Sequence, residues 1–169
     1  MNMTRRRLLL NGSVAGLALL AAGLSGRRGS AALATEAPAF EVTHSDAEWQ
    51  KLLTPNQFAV LRREGTEHAF SSPLNDEHRA GIFACSGCAL DLYSSKTKFE
   101  SGTGWPSFWK PLDKAVAERS DRSFGFPRIE VHCRRCGGHL GHVFDDGPRP
   151  TGLRYCMNGV AMTFRPTAT

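Results

Sequence analysis

Two C-x2-C pairs constrain what this chain can fold into more than any other feature of its sequence. Cys85 and Cys88 form one pair, and Cys133 and Cys136 form the other. Each pair places two sulfur atoms on one side of a tight turn, and two such pairs have the spacing of a tetrahedral four-cysteine zinc site. The alternative is two disulfides in an oxidising compartment. A disulfide across C-x2-C is strained and typically redox-active, which disfavours two of them as structural links.

A zinc ion held by four thiolates has no open position for water or substrate. We therefore expect one structural Zn²⁺ per chain that ties distant hairpins together, and not a catalytic ion. Gly87 and Gly137 lie where the close turns of the two pairs need a permissive backbone. His132 could replace one thiolate, but the set of four cysteines is complete without it.

Two helix start signals precede the cysteine pairs. Ser45 with Glu48, and Thr54 with Gln57, have capping-box spacing, and Gly65 is expected to end the second helix. Apolar side chains should form the buried faces of these helices: Trp49, Leu52, Leu53, Phe58 and Leu61. The sequence therefore predicts two short packing helices at the start of the domain.

The residues after position 80 form short runs rich in β-branched and aromatic residues, separated by turn-forming residues. The runs are "GIFAC", "LDLYSS", "TKFES", "FPRIEVHC", "GHVFDD" and "GLRYCMNGVAMTF". Runs of this kind are typical of strands in antiparallel sheets. The sequence therefore predicts a mainly β domain that follows two helices, without internal repeats.

The positive charge of the chain is confined to its first residues. Residues 1–34 contain five arginines and no acidic residue, which accounts for the whole formal charge of +5. The remaining residues are neutral overall and offer no basic surface for nucleic acid. We therefore expect no nucleic-acid partner.

The same segment has the features of an export signal. An apolar run from Leu8 to Leu24 follows the arginines Arg5 and Arg6, and small residues at Ala32 and Ala34 resemble a cleavage site. We expect residues 1–34 to be a twin-arginine-like signal that is cleaved on export to the bacterial periplasm, and residues 35–169 to form the domain. The alternative is an uncleaved membrane anchor, although the apolar run is short against the roughly 20 residues that span a bilayer.

Cys156 stands apart from the two pairs, in a run that is typical of a strand. Side chains alternate along a strand, so Arg154, Cys156 and Asn158 should share one face. An arginine beside a thiol favours the thiolate, which is the nucleophilic form. The alternative is a small buried residue without chemistry, which is common for a free cysteine.

Histidines and an aromatic loop could complete a site around this thiol. On a regular strand His139 and His142 would face opposite ways, but a bulge at Gly141 could turn both toward one site. Imidazoles transfer protons near neutral pH, as a nucleophilic thiol requires. Trp105 is the aromatic residue that we expect to be exposed in a site, whereas neighbouring Phe108 and Trp109 are expected in the core.

These residues together resemble the type B methionine sulfoxide reductases, which reduce the R epimer of methionine sulfoxide. The resemblance extends from about Trp49 to Phe164 and includes "TPNQF", "FSSPL", both cysteine pairs, "SGTGWPSF", "HLGHVFDDGP", "PTGLRYC" and the asparagine of "CMN". It implies a mainly β fold with two antiparallel sheets of the β-tent type, short N-terminal helices and a structural four-cysteine zinc site.

The resemblance also implies roles for individual residues. Cys156 would attack the sulfoxide sulfur and become a sulfenic acid, while Trp105 would hold the substrate methyl group with Phe144 nearby. Five further residues would position the sulfoxide and water and assist proton delivery: His139, His142, Asp146, Arg154 and Asn158. The substrate would be methionine sulfoxide in peptides or proteins, and the enzyme a monomer.

The sequence departs from the family pattern at two places. Thr103 occupies the position at which many members carry a resolving cysteine, so we expect an external thioredoxin-like protein or small thiol to reduce Cys156. Gly159 and Val160 stand where serine and alanine are more usual, which bears on substrate affinity. Two other functions remain as alternatives: a zinc-stapled binding module with an inert Cys156, and disulfide exchange through the C-x2-C pairs.

Overall fold

A computed structural model describes residues 40–123 and 125–167 of the chain. The expected export signal, residues 1–34, lies outside these residues. Within the described ranges, no helix combines the length and the apolar character needed to cross a membrane.

Two short helices begin the described chain, as the sequence predicts. Helix α1 spans Asp46–Leu52 and helix α2 spans Pro55–Arg63, and each begins with a reciprocal capping box. Helix α2 ends at Glu64, which is left-handed with φ 56°, one residue before the glycine expected there. The prediction for Leu52 was wrong: the residue is 61% exposed, and the buried residues here are Trp49 within α1 and Leu53 just after it.

Nine strands in two antiparallel sheets follow within the part of the chain that the structure describes. They are β1 Gly81–Cys85, β2 Asp91–Ser94, β3 Lys98–Phe99, β4 Ser107–Phe108, β5 Val116–Asp121, β6 Arg128–Cys133, β7 His139–Phe144, β8 Arg154–Met157 and β9 Met162–Pro166. The first sheet has the order β2-β1-β9, and the second has the order β3-β4-β8-β7-β6-β5. The predicted mainly β fold with two antiparallel sheets and short helices is confirmed.

Aromatic side chains form the core between the sheets. The rings of Tyr93 and Phe108 stack with centroids 4.3 Å apart, and Phe83 meets Phe108 edge to face at 4.9 Å. The Tyr93 hydroxyl donates to the sulfur of Met157 at 3.1 Å. Phe108 is fully buried, as predicted, whereas Trp109 is half-buried. Because Met157 lies on β8, this packing includes the strand that holds Cys156.

The register of the second sheet sets one row of polar residues side by side. Five residues lie directly opposite one another on successive strands: Ser107, Cys156, His142, Glu130 and Arg119. Because side chains at directly paired positions share a face, the row places a thiol, an imidazole and a carboxylate on one side of the sheet. The neighbouring row, which includes Phe108, Tyr155 and Val143, points to the opposite side.

Candidate active site

The four cysteines of the C-x2-C pairs converge on one point, although they come from both sheets. Their Sγ atoms all lie within 4.8 Å of one another. Cys85 and Cys136 approach to 3.7 Å, and Cys88 and Cys133 to 3.5 Å. A disulfide needs about 2.05 Å, so these are free thiols. A tetrahedral ion with Zn–S bonds of about 2.3 Å has its sulfur atoms about 3.8 Å apart, and the cluster fits such an ion.

The turns of the cluster are held by backbone and arginine contacts. The amides of Ala89 and Gly137 donate to the carbonyls of Cys85 and Cys133, each at 2.8 Å. An Arg62 guanidinium N–H donates to the Cys136 carbonyl at 3.0 Å. These contacts hold the turns of the two C-x2-C pairs in place without using the sulfur atoms.

His132 is not part of the sulfur cluster. It is buried, and burial lowers the pKa of its imidazole. Its ring meets Phe40 edge to face, with centroids 5.9 Å apart. The four cysteines therefore form the candidate metal site without this histidine.

Cys156 lies on β8 and lines a small cavity of about 150 Å³. The other residues of this cavity come from five separate parts of the chain: Thr66, Trp105, Arg128, Gly141, His142, Phe144 and Asn158. Four residues with roles implied by the family resemblance thus border the thiol: Trp105, His142, Phe144 and Asn158. Thr66 and Arg128 were not anticipated, because only the fold brings them here.

Burial raises the pKa of the Cys156 thiol, and neighbouring polar groups only partly oppose this. The Thr103 hydroxyl lies 3.9 Å from Cys156 Sγ, and Ser107 and Arg154 also favour the thiolate. The expectation that Arg154 would favour the thiolate is right in direction. The effect of Arg154 does not lower the pKa of the thiol below its ordinary value, since desolvation of the charged form is the larger effect.

Arg154 is held on two sides. Its guanidinium makes two hydrogen bonds of 2.8 Å to the carboxylate of Asp146, and it lies 4.4 Å from the centroid of the Phe144 ring. The Arg154 contact lowers the pKa of Asp146. Asp146 is not among the residues that line the Cys156 cavity. Arg154 does not line this cavity either, but it favours the Cys156 thiolate.

A bulge in β7 brings the two histidines together. Val131 pairs with Gly141 and His132 with His139, so that Leu140 is an extra residue in β7. The rings of His139 and His142 then lie 5.4 Å apart. A bulge is present between the two histidines, but its extra residue is Leu140 and not Gly141, and His142 lines the Cys156 cavity whereas His139 does not. Gly141 is required because a Cβ there would lie 2.1 Å from the carbonyl oxygen of Cys156.

Each histidine is paired with a carboxylate. His139 Nδ1 lies 2.7 Å from Glu130 Oε1, and His142 Nε2 lies 2.8 Å from Asp121 Oδ2. Burial lowers the pKa of His142, despite its contact with Asp121. His139 lines a neighbouring cavity of about 460 Å³, which shares Thr66, Arg128 and His142 with the Cys156 cavity. Sequence reasoning missed both carboxylates, although the register across β6 could have indicated Glu130.

Trp105 and Asn158 both line the cavity and both contact the backbone of one further residue, Glu67. The Trp105 indole N–H donates to the carbonyl of Glu67 at 3.2 Å. The backbone N–H of Glu67 donates to Asn158 Oδ1 at 2.9 Å, and Asn158 Nδ2 donates to the Leu140 carbonyl at 3.0 Å. Glu67 was not anticipated from the sequence.

Known proteins of similar sequence indicate the family of this chain. The family model of the SelR domain matches residues 53–166. Peptide methionine sulfoxide reductase MsrB of Leptospira interrogans is 51% identical over 127 residues, which cover 75% of this chain and 97% of that protein. The protein of the same name from Pseudomonas putida strain GB-1 is 53% identical over 120 residues, covering 70% and 92%.

A relative from a different lineage and one solved structure complete the comparison. MsrB of Methanosarcina barkeri is 52% identical over 125 residues, covering 73% of this chain and 88% of that protein. The crystal structure of the Mis18 "Yippee-like" domain has 16% identity and a TM-score of 0.44 over 54% of this chain and 100% of that chain, too weak a likeness to inform the site. The SelR match and the curated relatives show that the chain belongs to the family of type B methionine sulfoxide reductases.

Proposed function

We propose that this protein reduces the R epimer of methionine sulfoxide, in peptides or proteins, with Cys156 as the nucleophile. The observation that carries the proposal is the position of Cys156. Among the five cysteines it is the one outside the sulfur cluster, and it lines a cavity with Trp105 and Asn158. The family membership and the names of the relatives support methionine sulfoxide as the substrate.

The reaction transfers two electrons from one sulfur atom to another. The Cys156 thiolate attacks the sulfoxide sulfur and forms a sulfur–sulfur bond, while the sulfur–oxygen bond breaks and two protons from the site convert the departing oxygen to water. Water then attacks the cysteine sulfur, the sulfur–sulfur bond breaks with its electron pair going to methionine, and a proton is released. The products are methionine and the sulfenic acid of Cys156, so the thiol sulfur is oxidised and the sulfoxide sulfur is reduced. Since burial raises the pKa of the resting thiol, thiolate formation is part of the work that the site must do.

The neighbouring residues supply an apolar surface and a polar surface. The rings of Trp105 and Phe144 border the cavity and suit the methyl group of the substrate, since methyl and sulfur groups contact ring faces favourably. His142 and Asn158 border it as polar groups and orient the sulfoxide. Arg154 with Asp146, and His139 beside His142, assist proton delivery to the oxygen.

An external thiol returns Cys156 to its reduced form. Thr103 is the side chain beside the thiol, at 3.9 Å, and a hydroxyl cannot form a disulfide. The other four cysteines converge in the sulfur cluster. A thioredoxin-like protein or small thiol therefore attacks the sulfenic acid, releasing water and forming a mixed disulfide, which a second thiol then reduces.

The sulfur cluster binds one Zn²⁺ with a structural role. The sulfur separations support this, and four thiolate ligands leave no coordination position for substrate. The ion supplies a link between β1 and β6, and the reaction itself does not use it.

The protein works as a monomer in the bacterial periplasm. Residues 1–34 direct it there, and their arginines, apolar run and small residues near Ala34 support a twin-arginine-like signal. N-terminal sequencing of the native protein tests this: a start near residue 35 is expected, and a start at Met1 would indicate an uncleaved anchor.

An epimer-resolved assay tests the activity. With a chemical dithiol as reductant, the protein should consume the R epimer of a methionine sulfoxide peptide and leave the S epimer. Cys156→Ser should abolish the activity. No turnover with either epimer would instead favour a binding module, and activity that survives Cys156→Ser would favour disulfide exchange through the C-x2-C pairs.

A further inference from the structure

Glu67 connects the segment after α2 to the residues that follow β8. Between Arg63 and Gly81 the chain forms no helix or strand, so this segment depends on side-chain and loop contacts for its position. The carboxylate of Glu67 accepts the backbone N–H groups of Gly159 and Val160, the latter at 2.9 Å. Hydrogen bonds to an ionised acceptor are about twice as strong as neutral ones. The carboxylate is therefore an anchor for the segment.

The backbone of the same residue contacts two walls of the Cys156 cavity. Its carbonyl accepts the Trp105 indole N–H at 3.2 Å, and its N–H donates to Asn158 Oδ1 at 2.9 Å. Trp105 and Asn158 both line the cavity, but Glu67 does not. Glu67 thus contacts both the ring that is proposed to hold the substrate methyl group and the amide that is proposed to orient the sulfoxide.

We propose that Glu67 is a positioning residue for this reaction: its anchored carboxylate fixes the backbone that sets Trp105 and Asn158 relative to Cys156. The inference rests on the proposed function, because it concerns how that substrate is held. Cys156 itself is placed by β8, between β4 and β7. Loss of the Glu67 anchor should therefore loosen the substrate pocket and leave the nucleophile in position.

This arrangement also accounts for the unusual Gly159. The anchor uses the backbone N–H groups of Gly159 and Val160, so it does not depend on their side chains. A Cβ at Gly159 would lie 1.9 Å from the Ser72 hydroxyl oxygen. That hydroxyl accepts the Leu74 N–H at 3.2 Å in the turn that follows. The missing side chain therefore makes room for Ser72.

The test compares Glu67→Gln with the control Glu41→Gln, which removes an exposed carboxylate. The glutamine has the same shape but turns one acceptor into a donor opposite a backbone N–H. We expect KM for the R epimer to rise about tenfold, or 1.4 kcal/mol, with kcat within about twofold. The rate of Cys156 alkylation by iodoacetamide and the Tm should match those of the control.

Three further measurements separate positioning from general stability. The indole N–H resonance of Trp105, assigned by its loss in Trp105→Phe, should shift and exchange faster with solvent in Glu67→Gln. The KM effects of Glu67→Gln and Trp105→Phe should be less than additive in the double variant, because both act through one contact. Glu67→Asp, with its shorter carboxylate, should give an intermediate KM.

An unchanged KM, additive effects, or parallel losses of Tm and alkylation rate would overturn the inference. If Glu67→Gln does not fold, Glu67→Asp decides by the same criteria. A wild-type protein that reduces neither epimer would instead reject the proposed function. In that case an unchanged Trp105 resonance in Glu67→Gln would reject the positioning role as well.

Discussion

Removal of the metal should destabilise the fold, because the sulfur cluster joins the two sheets. Cys85 ends β1 in the first sheet, and Cys133 ends β6 in the second. Cys88 and Cys133 are 45 residues apart in the chain. Closing a loop of that length removes about 4 kcal/mol of unfolded-state entropy in the chain-entropy treatment of cross-links. Loss of the ion should therefore lower the free energy of unfolding by at least about this amount.

The change is large against the roughly 5–15 kcal/mol that stabilises a typical domain. At about 2–4 °C per kcal/mol for a chain of this size, the Tm should fall by about 10 °C or more. The perturbation is Cys133→Ser, or removal of metal with a chelator, and the assay is thermal unfolding followed by circular dichroism. Metal content should be one zinc per chain before removal.

Cys156→Ser is the matched control, since it removes a thiol outside the cluster. We expect it to keep one zinc per chain and the wild-type Tm within a few degrees, as a conservative change does. Equal Tm values with and without metal would refute the reasoning, and so would zinc well below one equivalent in freshly purified protein.

Three further predictions concern the site. Because burial raises the pKa of the Cys156 thiol, the rate of its alkylation should still increase with pH above the ordinary cysteine pKa of about 8.5. Arg154→Gln should shift this pH profile to higher pH. A rate that is already constant at neutral pH would contradict the prediction. Thr103→Cys places a second thiol where a hydroxyl lies 3.9 Å from Cys156 Sγ. One equivalent of sulfoxide should therefore produce an internal disulfide in this variant. A sulfenic acid that persists on Cys156 would contradict the geometry. Glu130→Gln removes the carboxylate from the buried Nδ1 of His139. The variant should lower the free energy of unfolding in urea by about 1–3 kcal/mol, whereas Glu100→Gln, an exposed control, should not. Equal stabilities of the two variants would contradict the assigned pairing.

Local chemistry made the cluster and the helices predictable from the sequence. The C-x2-C spacing alone indicated that four sulfur atoms would meet, and the capping residues Ser45 and Thr54 marked both helix starts. Cys156 was recognisable because it was left over from the two pairs. These inferences depend on residues that are close in sequence or on a known coordination geometry.

Long-range register was not predictable in the same way. Glu130 lies opposite His142, and the Leu140 bulge sets its neighbour His139 beside the same carboxylate, only through the pairing of β6 with β7. Glu67 reaches Asn158 and Trp105 across a segment without helix or strand. The net rise of the Cys156 pKa also required the fold, because desolvation depends on how deeply the strand is buried.

A single-turnover experiment tests the central claim most directly. Reduced protein is mixed with one equivalent of the R epimer of a methionine sulfoxide peptide, without any reductant, and the methionine formed and the mass of each cysteine peptide are measured. The account predicts one methionine per chain and one added oxygen, trapped by dimedone, on Cys156 alone. Formation of no methionine, or oxidation of a cluster cysteine in place of Cys156, would contradict it.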